Sequence, residues 1–280
     1  MNTDQNVKEL VKERYSEIAK QSKTENETSC CGAGCGCSIV DQTIMADNYT
    51  SLEGYFADAD LGLGCGLPTE YAQIKKGDTV IDLGSGAGND AFIARSIVGD
   101  DGRVIGIDMT EIMIELARKN ALKLNLQIVE FRLGDIVNIP LSNNRADVVV
   151  SNCVLNLVPD KLKVFSEIYR ILKPGGHFNI SDIVLEGELP ETIIKEAEMY
   201  AGCVSGAIQK NDYLNMIKQN GFENITINKE KKITIPEAIL KNYLNETQLE
   251  EFKNSNIGIY SITVFAEKSK DCGCGPTCCN

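Results

Sequence analysis

The chain has no tryptophan and a single histidine, His177, in 280 residues. One imidazole argues against chemistry built on a histidine general base, because enzymes of that kind usually offer more. Positive charge is also scarce: 28 Lys and Arg face 40 Asp and Glu, for a net charge of -12. That balance excludes most nucleic-acid partners, whose affinity is built largely on Lys and Arg. No run of about 18 apolar residues occurs, so no membrane-spanning helix is expected. The first twenty residues, MNTDQNVKELVKERYSEIAK, have a charged amphipathic pattern without the apolar centre of a secretion signal. These absences together predict a cytoplasmic, globular protein. Nothing such as a heptad demands an oligomer, and a monomer is expected.

What the chain has in excess is cysteine, eleven in all. In a reducing compartment, clustered cysteines more often mean metal binding or redox chemistry than structural disulfides. Eleven is also odd, so complete internal pairing is impossible. Four of them, Cys30, Cys31, Cys35 and Cys37, lie in CCGAGCGC, which is too rich in Gly and Cys for a helix. CGCGPTCC in the tail repeats that spacing in inverted order. Cys65, Cys153 and Cys203 stand alone, in LGLGCGLP, SNCVLNLVPDK and AGCVSGAI.

The apolar spacing predicts a helix over 7–20, with Val7, Leu10, Val11, Tyr15 and Ile18 on one side, and short helices broken by Gly over 41–73. From residue 77 strands and helices alternate. DTVIDLG, RVIGIDM, LQIVEFRLGD, RADVVVSN and GGHFNISDIV read as strands. NDAFIARSIV, TEIMIELARKNALKL and DKLKVFSEIYRIL read as the helices between them. Residues 190–220 look helical, ending in NDYLNMIKQNGF. ENITINKEKKIT and IYSITVFAEK read as an antiparallel pair at the sheet edge. Such alternation predicts an α/β fold around a doubly wound, mostly parallel, seven-stranded Rossmann-like sheet. We divide the chain into an N-terminal helix and Cys-rich extension (1–48), a core (49–221), a small C-terminal lobe on the substrate side (222–267) and a Cys-rich tail (268–280).

Asp82-Leu-Gly84-Ser85-Gly86-Ala-Gly88 follows one predicted strand and opens a predicted helix. Glycines there let the backbone turn tightly and approach a ligand closely. Asp108 ends the next strand, where a carboxylate can accept both hydroxyls of a ribose. The spacing is G-x-G-x-G rather than the G-x-G-x-x-G of a dinucleotide site. With LKPGG before the fifth strand, the pattern resembles the class I S-adenosylmethionine methyltransferases. That resemblance implies S-adenosylmethionine as cofactor, with the loop backing its amino-acid end and Asp135 near the adenine amino group. The implied cofactor residues are Asp82, Gly84, Ser85, Gly86, Gly88, Asp108, Met109, Asp135, Ile136 and Asn152.

Thiols arranged around a methyl-donor site point to a thiophilic substrate. Trivalent arsenic is one, since soft centres select thiolate ligands. SNCVLNLVPDK, GCGLP, IDLGSGAGND, GIDMT and AGCVSGA together resemble the arsenite methyltransferases, from about Tyr49 to about Gly221 and more loosely to Phe265. The resemblance implies that Cys65, Cys153 and Cys203 serve an arsenite or methylarsenite substrate, Cys153 and Cys203 as its binding pair. Cys65 would act with an upstream cysteine in binding and in disulfide cycling. That partner is one of Cys30, Cys31, Cys35 and Cys37, with Cys35 and Cys37 nearer the core. A thiol reductant such as thioredoxin or glutathione is implied too. The sequence departs from the family at Leu61 and Leu63, where aromatic residues are frequent.

Each of the three isolated cysteines, taken alone, reads as readily as a small buried hydrophobe. Asn152 and Asn156 could position cofactor or thiol, or cap the helix starting near Asp160. His177 reads as a strand residue. Either terminal cluster could hold structural zinc, although neither has C-x2-C spacing; for the tail, a flexible trap for soft metalloids or an inert extension are the other readings. Competing functions are a thiol-rich protein that sequesters metalloid, and another small-molecule methyltransferase carrying structural zinc.

Overall fold

The structure is a computed structural model that describes residues 3–21, 48–189, 191, 193–194, 204, 206–235 and 237–270. Cys203 and both terminal cysteine clusters lie outside the described residues. The elements in chain order are α1 (Thr3–Ile18), α2 (Pro68–Tyr71), β1 (Thr79–Leu83), α3 (Asn89–Val98), β2 (Arg103–Asp108), α4 (Glu111–Lys123), β3 (Val129–Leu133), β4 (Ala146–Asn152), α5 (Lys161–Ile171), β5 (Leu172–Glu186), α6 (Lys210–Gln219), β6 (Phe222–Lys232), α7 (Glu237–Leu240), α8 (Glu246–Asn254) and β7 (Gly258–Lys268). Two 3-10 turns, Ala57–Ala59 and Leu155–Leu157, flank the site described below.

One seven-stranded sheet runs in the order β3-β2-β1-β4-β5-β7-β6. The first five strands are parallel, β7 is antiparallel to β5, and β6 is antiparallel to β7. The strands are apolar on both faces because helices cover both. Ile81, Leu83, Ile105, Ile107 and Val149 face one way, against Phe165 and Ile168 of α5 and Tyr213 and Ile217 of α6. Val80, Val104, Val148 and Val150 face the other, against Phe92 and Ala94 of α3 and Met113 and Ala117 of α4. Alternation along each strand thus splits one sheet into two cores. Each such side chain contributes roughly 1.5–3 kcal/mol by leaving water.

Helix ends follow local chemistry. Asp160, not either asparagine, caps α5 by accepting from the Lys163 amide at 2.9 Å. A capping box between Asn245 and Gln248 starts α8. The two late strands form the antiparallel edge of the sheet, as the sequence predicts, with β7 paired to β5 over ten residues and β6 to β7. What stands off the sheet is the α7–α8 pair, whose Leu240 and Leu249 pack with Ile193. No described helix is long and apolar enough to cross a membrane.

The strand order reverses between β1 and β4, each a neighbour of the other with its following helix on the opposite face. Ligands of open α/β sheets bind at the carboxyl ends of the strands at such a switch point. The loop after β1 carries the glycines, and the residue after β4 is Cys153.

Candidate active site

The glycine loop is where the backbone needs its glycines. Gly84, Gly86 and Gly88 have φ of 71°, 50° and 102°, a region that L side chains avoid. A Cβ on Gly88 would lie 2.8 Å from the rings of both Phe92 and Phe131. A Cβ on Gly86 would meet nothing, because that residue faces an open cleft. The Gly86 amide donates to Asp108 Oδ2 at 3.0 Å, and the Thr110 amide donates to Asp108 Oδ1 at 2.8 Å. The Asp108 carboxylate is therefore fixed by backbone donors while each oxygen keeps a lone pair for a ligand hydroxyl. Burial raises its pKa, and those amides pull it back.

The cleft encloses about 790 Å³ with its mouth included. Gly84, Ser85, Gly86, Asp108, Met109 and Asn152, expected at the cofactor, line it, and so does Cys153. Tyr49, Asp60, Asn89, Asp90, Leu61 and Leu63 line it as well. Asp82 and Gly88 stand behind the loop: Asp82 is buried with its carboxylic pKa pushed well up by burial and by Asp90 and Asp108. Asp135 and Ile136 are not among the lining residues. Asp135 Oδ2 receives Lys8 Nζ of α1 at 2.6 Å, its Oδ1 receives the Val137 amide, and Ile136 packs into the core. Helix α1 instead sends Val11 and Tyr15 to the cleft wall, while Leu10, expected on the same face, is 65% exposed.

Three buried polar atoms around the loop have no protein partner: Ser85 Oγ, Asn89 Oδ1 and Asp82 Oδ2. Buried polar groups are normally satisfied. Ser85 and Asn89 belong to the wall of the glycine-lined cleft, Asp82 backs its loop, and a ribose-ready carboxylate stands at its end, an arrangement that fits a nucleoside carrying an amino-acid arm. S-adenosylmethionine is such a molecule.

The thiol side is built from three separate segments. Cys65 and Cys153 form a disulfide, 88 residues apart in sequence, with Cα atoms 5.9 Å apart. The partner of Cys65 here is thus Cys153, while Cys35 and Cys37 fall outside the described residues. The physical reason is the Asn152 carboxamide. Its Oδ1 accepts from the Cys65 amide at 3.0 Å, and its Nδ2 donates to the Gly66 carbonyl at 2.9 Å and to Tyr49 Oη. Tyr49 in turn donates to the Gly66 carbonyl at 3.0 Å and to Asp90 at 3.1 Å. From the far edge of the sheet, Ser261 of β7 donates to the Cys65 carbonyl at 2.6 Å.

This clamp explains the two glycines beside Cys65. A Cβ on Gly64 would sit 2.7 Å from Asn152 Nδ2, and one on Gly66 would collide with the Ser181 side chain. Cys153 itself has φ 57°, a left-handed backbone rare for a residue with a Cβ. Its amide donates to the Ser181 carbonyl at 2.8 Å, which lifts the side chain off the end of β4. Cys65 and Cys153 belong to one buried cluster with Ile183, Leu185, Ile233, Ile259 and Val204. Val204 is the residue after Cys203.

Asn152 and Asn156 both position backbone: Asn156 Nδ2 donates to the Ile183 carbonyl at 2.6 Å. His177 is a strand residue away from the cleft, its Nε2 2.6 Å from the Ala72 carbonyl and its ring against Phe265. Among the described residues, no group of three or more His, Cys, Asp or Glu could hold a metal ion. Tyr49 and Asp90 were not legible as site residues, since only the fold brings them to Asn152.

Residues 74–221 match the family described as a methyltransferase domain. The chain is similar to an arsenite methyltransferase of Halobacterium salinarum, 42% identical over 79% of this chain and 58% of that one. It is 30% identical to an arsenite methyltransferase of Aquipseudomonas alcaligenes, over 86% of this chain and 69% of the relative. Among solved structures, the arsenic(III) S-adenosylmethionine methyltransferase of Chlamydomonas reinhardtii superposes with a TM-score of 0.63 at 32% identity, covering 81% of this chain and 73% of that one. The chain spans less than two thirds of the length of the Halobacterium protein. Likeness at that level over most of the chain, on a sheet whose cleft suits the cofactor, means that the chain belongs to the arsenite methyltransferase family, with S-adenosylmethionine as its cofactor.

Proposed function

We propose that the chain methylates trivalent arsenic, taking arsenite or methylarsenite as substrate and holding it on cysteine thiolates at the end of the cofactor cleft. The observation that carries this reading is that Cys65 and Cys153 meet at the carboxyl end of β4, with Cys153 on the wall of the cleft opened by the glycine loop. Bound S-adenosylmethionine supplies an electrophilic methyl group on a cationic sulfur.

The residues of the chain do the holding. Cys65, Cys153 and Cys203 are the proposed arsenic ligands, with Cys35 or Cys37 as the upstream thiol. Cys203 is included on the family resemblance of AGCVSGA alone; its neighbour Val204 shares the buried cluster of Cys65 and Cys153. Three thiolates form a pyramidal complex and leave the arsenic lone pair free to attack in line. Attack geometry is then what the protein provides. Asn152 serves both halves, since it fixes Cys65 and also lines the cleft. The lone pair carries no proton, so no general base is needed, in keeping with a sole histidine that is occupied elsewhere.

The electron balance assigns the thiols a second task. Donation of the lone pair to the methyl group takes arsenic formally from the trivalent to the pentavalent state. Two thiolates that join as a disulfide return two electrons and restore the trivalent state. Cys65 and Cys153 are close enough to be such a pair. An external thiol reductant, thioredoxin or glutathione, would then reopen the disulfide.

The test is anaerobic incubation of the full chain with S-adenosylmethionine, arsenite and a dithiol, with methylated arsenic separated and measured by elemental mass spectrometry. We expect product with the unaltered chain and none with Cys153→Ser or Cys203→Ser, while cofactor binding persists in both variants. Stoichiometric arsenite binding without any product would replace this reading with sequestration.

A further inference from the structure

The wall of the cofactor cleft carries charge of one sign. Asp60, Asp90 and Asp108 line it, and no Lys or Arg does among the described residues. Asp108 is held by two backbone amides next to the loop. Asp60 is held by the Gly62 amide at 3.0 Å and the Tyr55 hydroxyl at 3.1 Å. Asp90, at the start of α3, is held by Tyr49 Oη at 3.1 Å and Asn152 Nδ2 at 3.3 Å. All of these partners are neutral donors. Those of Asp90 and Asp108 fix the carboxylates without cancelling their charge. Ser85, a residue of the glycine loop only 7% exposed, lines the same cleft, and its buried Oγ has no protein partner.

The cofactor and its product differ in charge. S-adenosylmethionine carries a sulfonium and an ammonium against one carboxylate, for a net charge of +1. S-adenosylhomocysteine has a neutral sulfur and a net charge of zero. Shape and hydrogen-bonding groups are otherwise shared, so a site that relied on those alone would hold its product nearly as well as its substrate. A fixed carboxylate in a cleft shielded from water discriminates a unit charge over several ångströms.

We propose that Asp90, seconded by Asp60, is a specificity-determining residue that makes the cleft select the sulfonium cofactor over its neutral product. Asp90 is the better placed of the two, because its two donors, Tyr49 and Asn152, are the groups that clamp the Cys65 segment. The carboxylate therefore stands between the glycine loop and the thiols, at the end of the cleft where the methyl group must leave. Asp60, just after the 3-10 turn, faces Asp90 and adds to the same field, while Asp82 faces it from β1 as a buried carboxyl whose pKa is raised well above the usual range. Release of the product is thereby favoured once the positive charge is gone, with no movement of the chain required.

This inference rests on the cofactor and not on arsenic, so it is tested by binding alone. Calorimetric titration of the reduced full chain, without arsenite, would use S-adenosylmethionine, S-adenosylhomocysteine and sinefungin, an analogue with a protonated amine in place of the sulfonium. We expect the unaltered chain to bind both cations at least about ten-fold more tightly than the neutral product. Asp90→Asn is expected to cut that preference by about ten-fold or more, through weaker binding of the two cations, and to leave the affinity for the neutral product within about three-fold. Asp60→Asn should cut it by a smaller factor and decides the matter if the first variant does not fold. Equal weakening of all three ligands would overturn the proposal, because Asp90 would then serve only the ammonium they share or the fold. An unchanged preference in either folded variant at position 90 or, failing that, position 60 would overturn it as well.

Discussion

The loop after β1 and the loop after β4 lie side by side at the same end of the sheet, yet they are rigid for opposite reasons. The β1 loop takes its shape from what its residues lack: three glycines at positive φ, one of them pressed against two phenylalanine rings. Its polar atoms are left unpartnered for a ligand. The β4 loop takes its shape from what its residues hold: Asn152 spends its carboxamide on Cys65, Gly66 and Tyr49, and Cys153 keeps a left-handed backbone despite its Cβ. The first arrangement can be supplied by a short local motif. The second needs partners from β7, α3 and the segment before β1, so it exists only in the folded chain.

The comparison breaks most visibly at the disulfide. A crosslink closing a loop of 88 residues restricts the unfolded chain and should stabilise the oxidised protein by about 4 kcal/mol over the reduced one. Urea unfolding with and without a dithiol measures this, and equal midpoints would mean that the pair is not closed in the isolated protein. On the β1 side, Gly88→Ala combines a forbidden φ with a ring clash. It should cost about 2–3 kcal/mol of stability and abolish detectable cofactor binding.

Acid should separate the two sides next. Asp90 lies on the cleft wall with its pKa raised to about 6 by burial, while Asn152 and Tyr49 lower it and Asp60 raises it. A cationic ligand favours the carboxylate, so its binding releases a proton wherever Asp90 was protonated. Cofactor affinity is therefore expected to rise about ten-fold from pH 5 to pH 7 and to level off above. Without cofactor the sign reverses. Asp90 and Asp182, the latter raised to about 7 chiefly by burial, bind more protons in the native than in the unfolded state between their unfolded and folded values. Native stability from these groups is fully present below about pH 4 and is lost as pH rises through about 6 and 7. Their contribution to the pH dependence of unfolding shows whether both carboxyls are buried as described. The smallest effect concerns Cys153. Under reducing conditions Cys153→Gly should be more stable than Cys153→Ala by about 1 kcal/mol, because glycine relieves the left-handed strain. The reverse order would place the strain elsewhere.

Much of the fold was legible because it is local. The alternation of VIDL, RVIGID and ADVVVSN with amphipathic helices gives strand, helix and order without any long-range information. DLGSGAG announces its turn because only glycine accepts those dihedrals. The late strands were readable too, as an antiparallel pair at the sheet edge, while their order, with β7 between β5 and β6, comes from the pairing itself. Helix α8 was missed although the Asn245–Gln248 capping box was present in its sequence. At the site, Asp108 and Cys153 sit at strand ends and could be placed by counting. Asp135 also ends a strand, but its carboxylate is taken by Lys8 from 127 residues away. Tyr49 and Asp90 carry no motif, and their roles come from a hydrogen bond that spans 41 positions. Local rules therefore recovered the cofactor loop and left the thiol clamp to be found in three dimensions.

Ser261, which holds the Cys65 carbonyl, belongs to β7, which follows β1 to β6 in the chain. β7 is also the strand that slots between β5 and β6, both synthesised earlier. A nascent chain can thus complete β1 to β5 while the segment bearing Cys65 still lacks its Ser261 bond. The clamp around Cys65 is therefore complete only when residues 258–268 have emerged and paired with β5, so the two halves of the cleft are finished at different moments of synthesis.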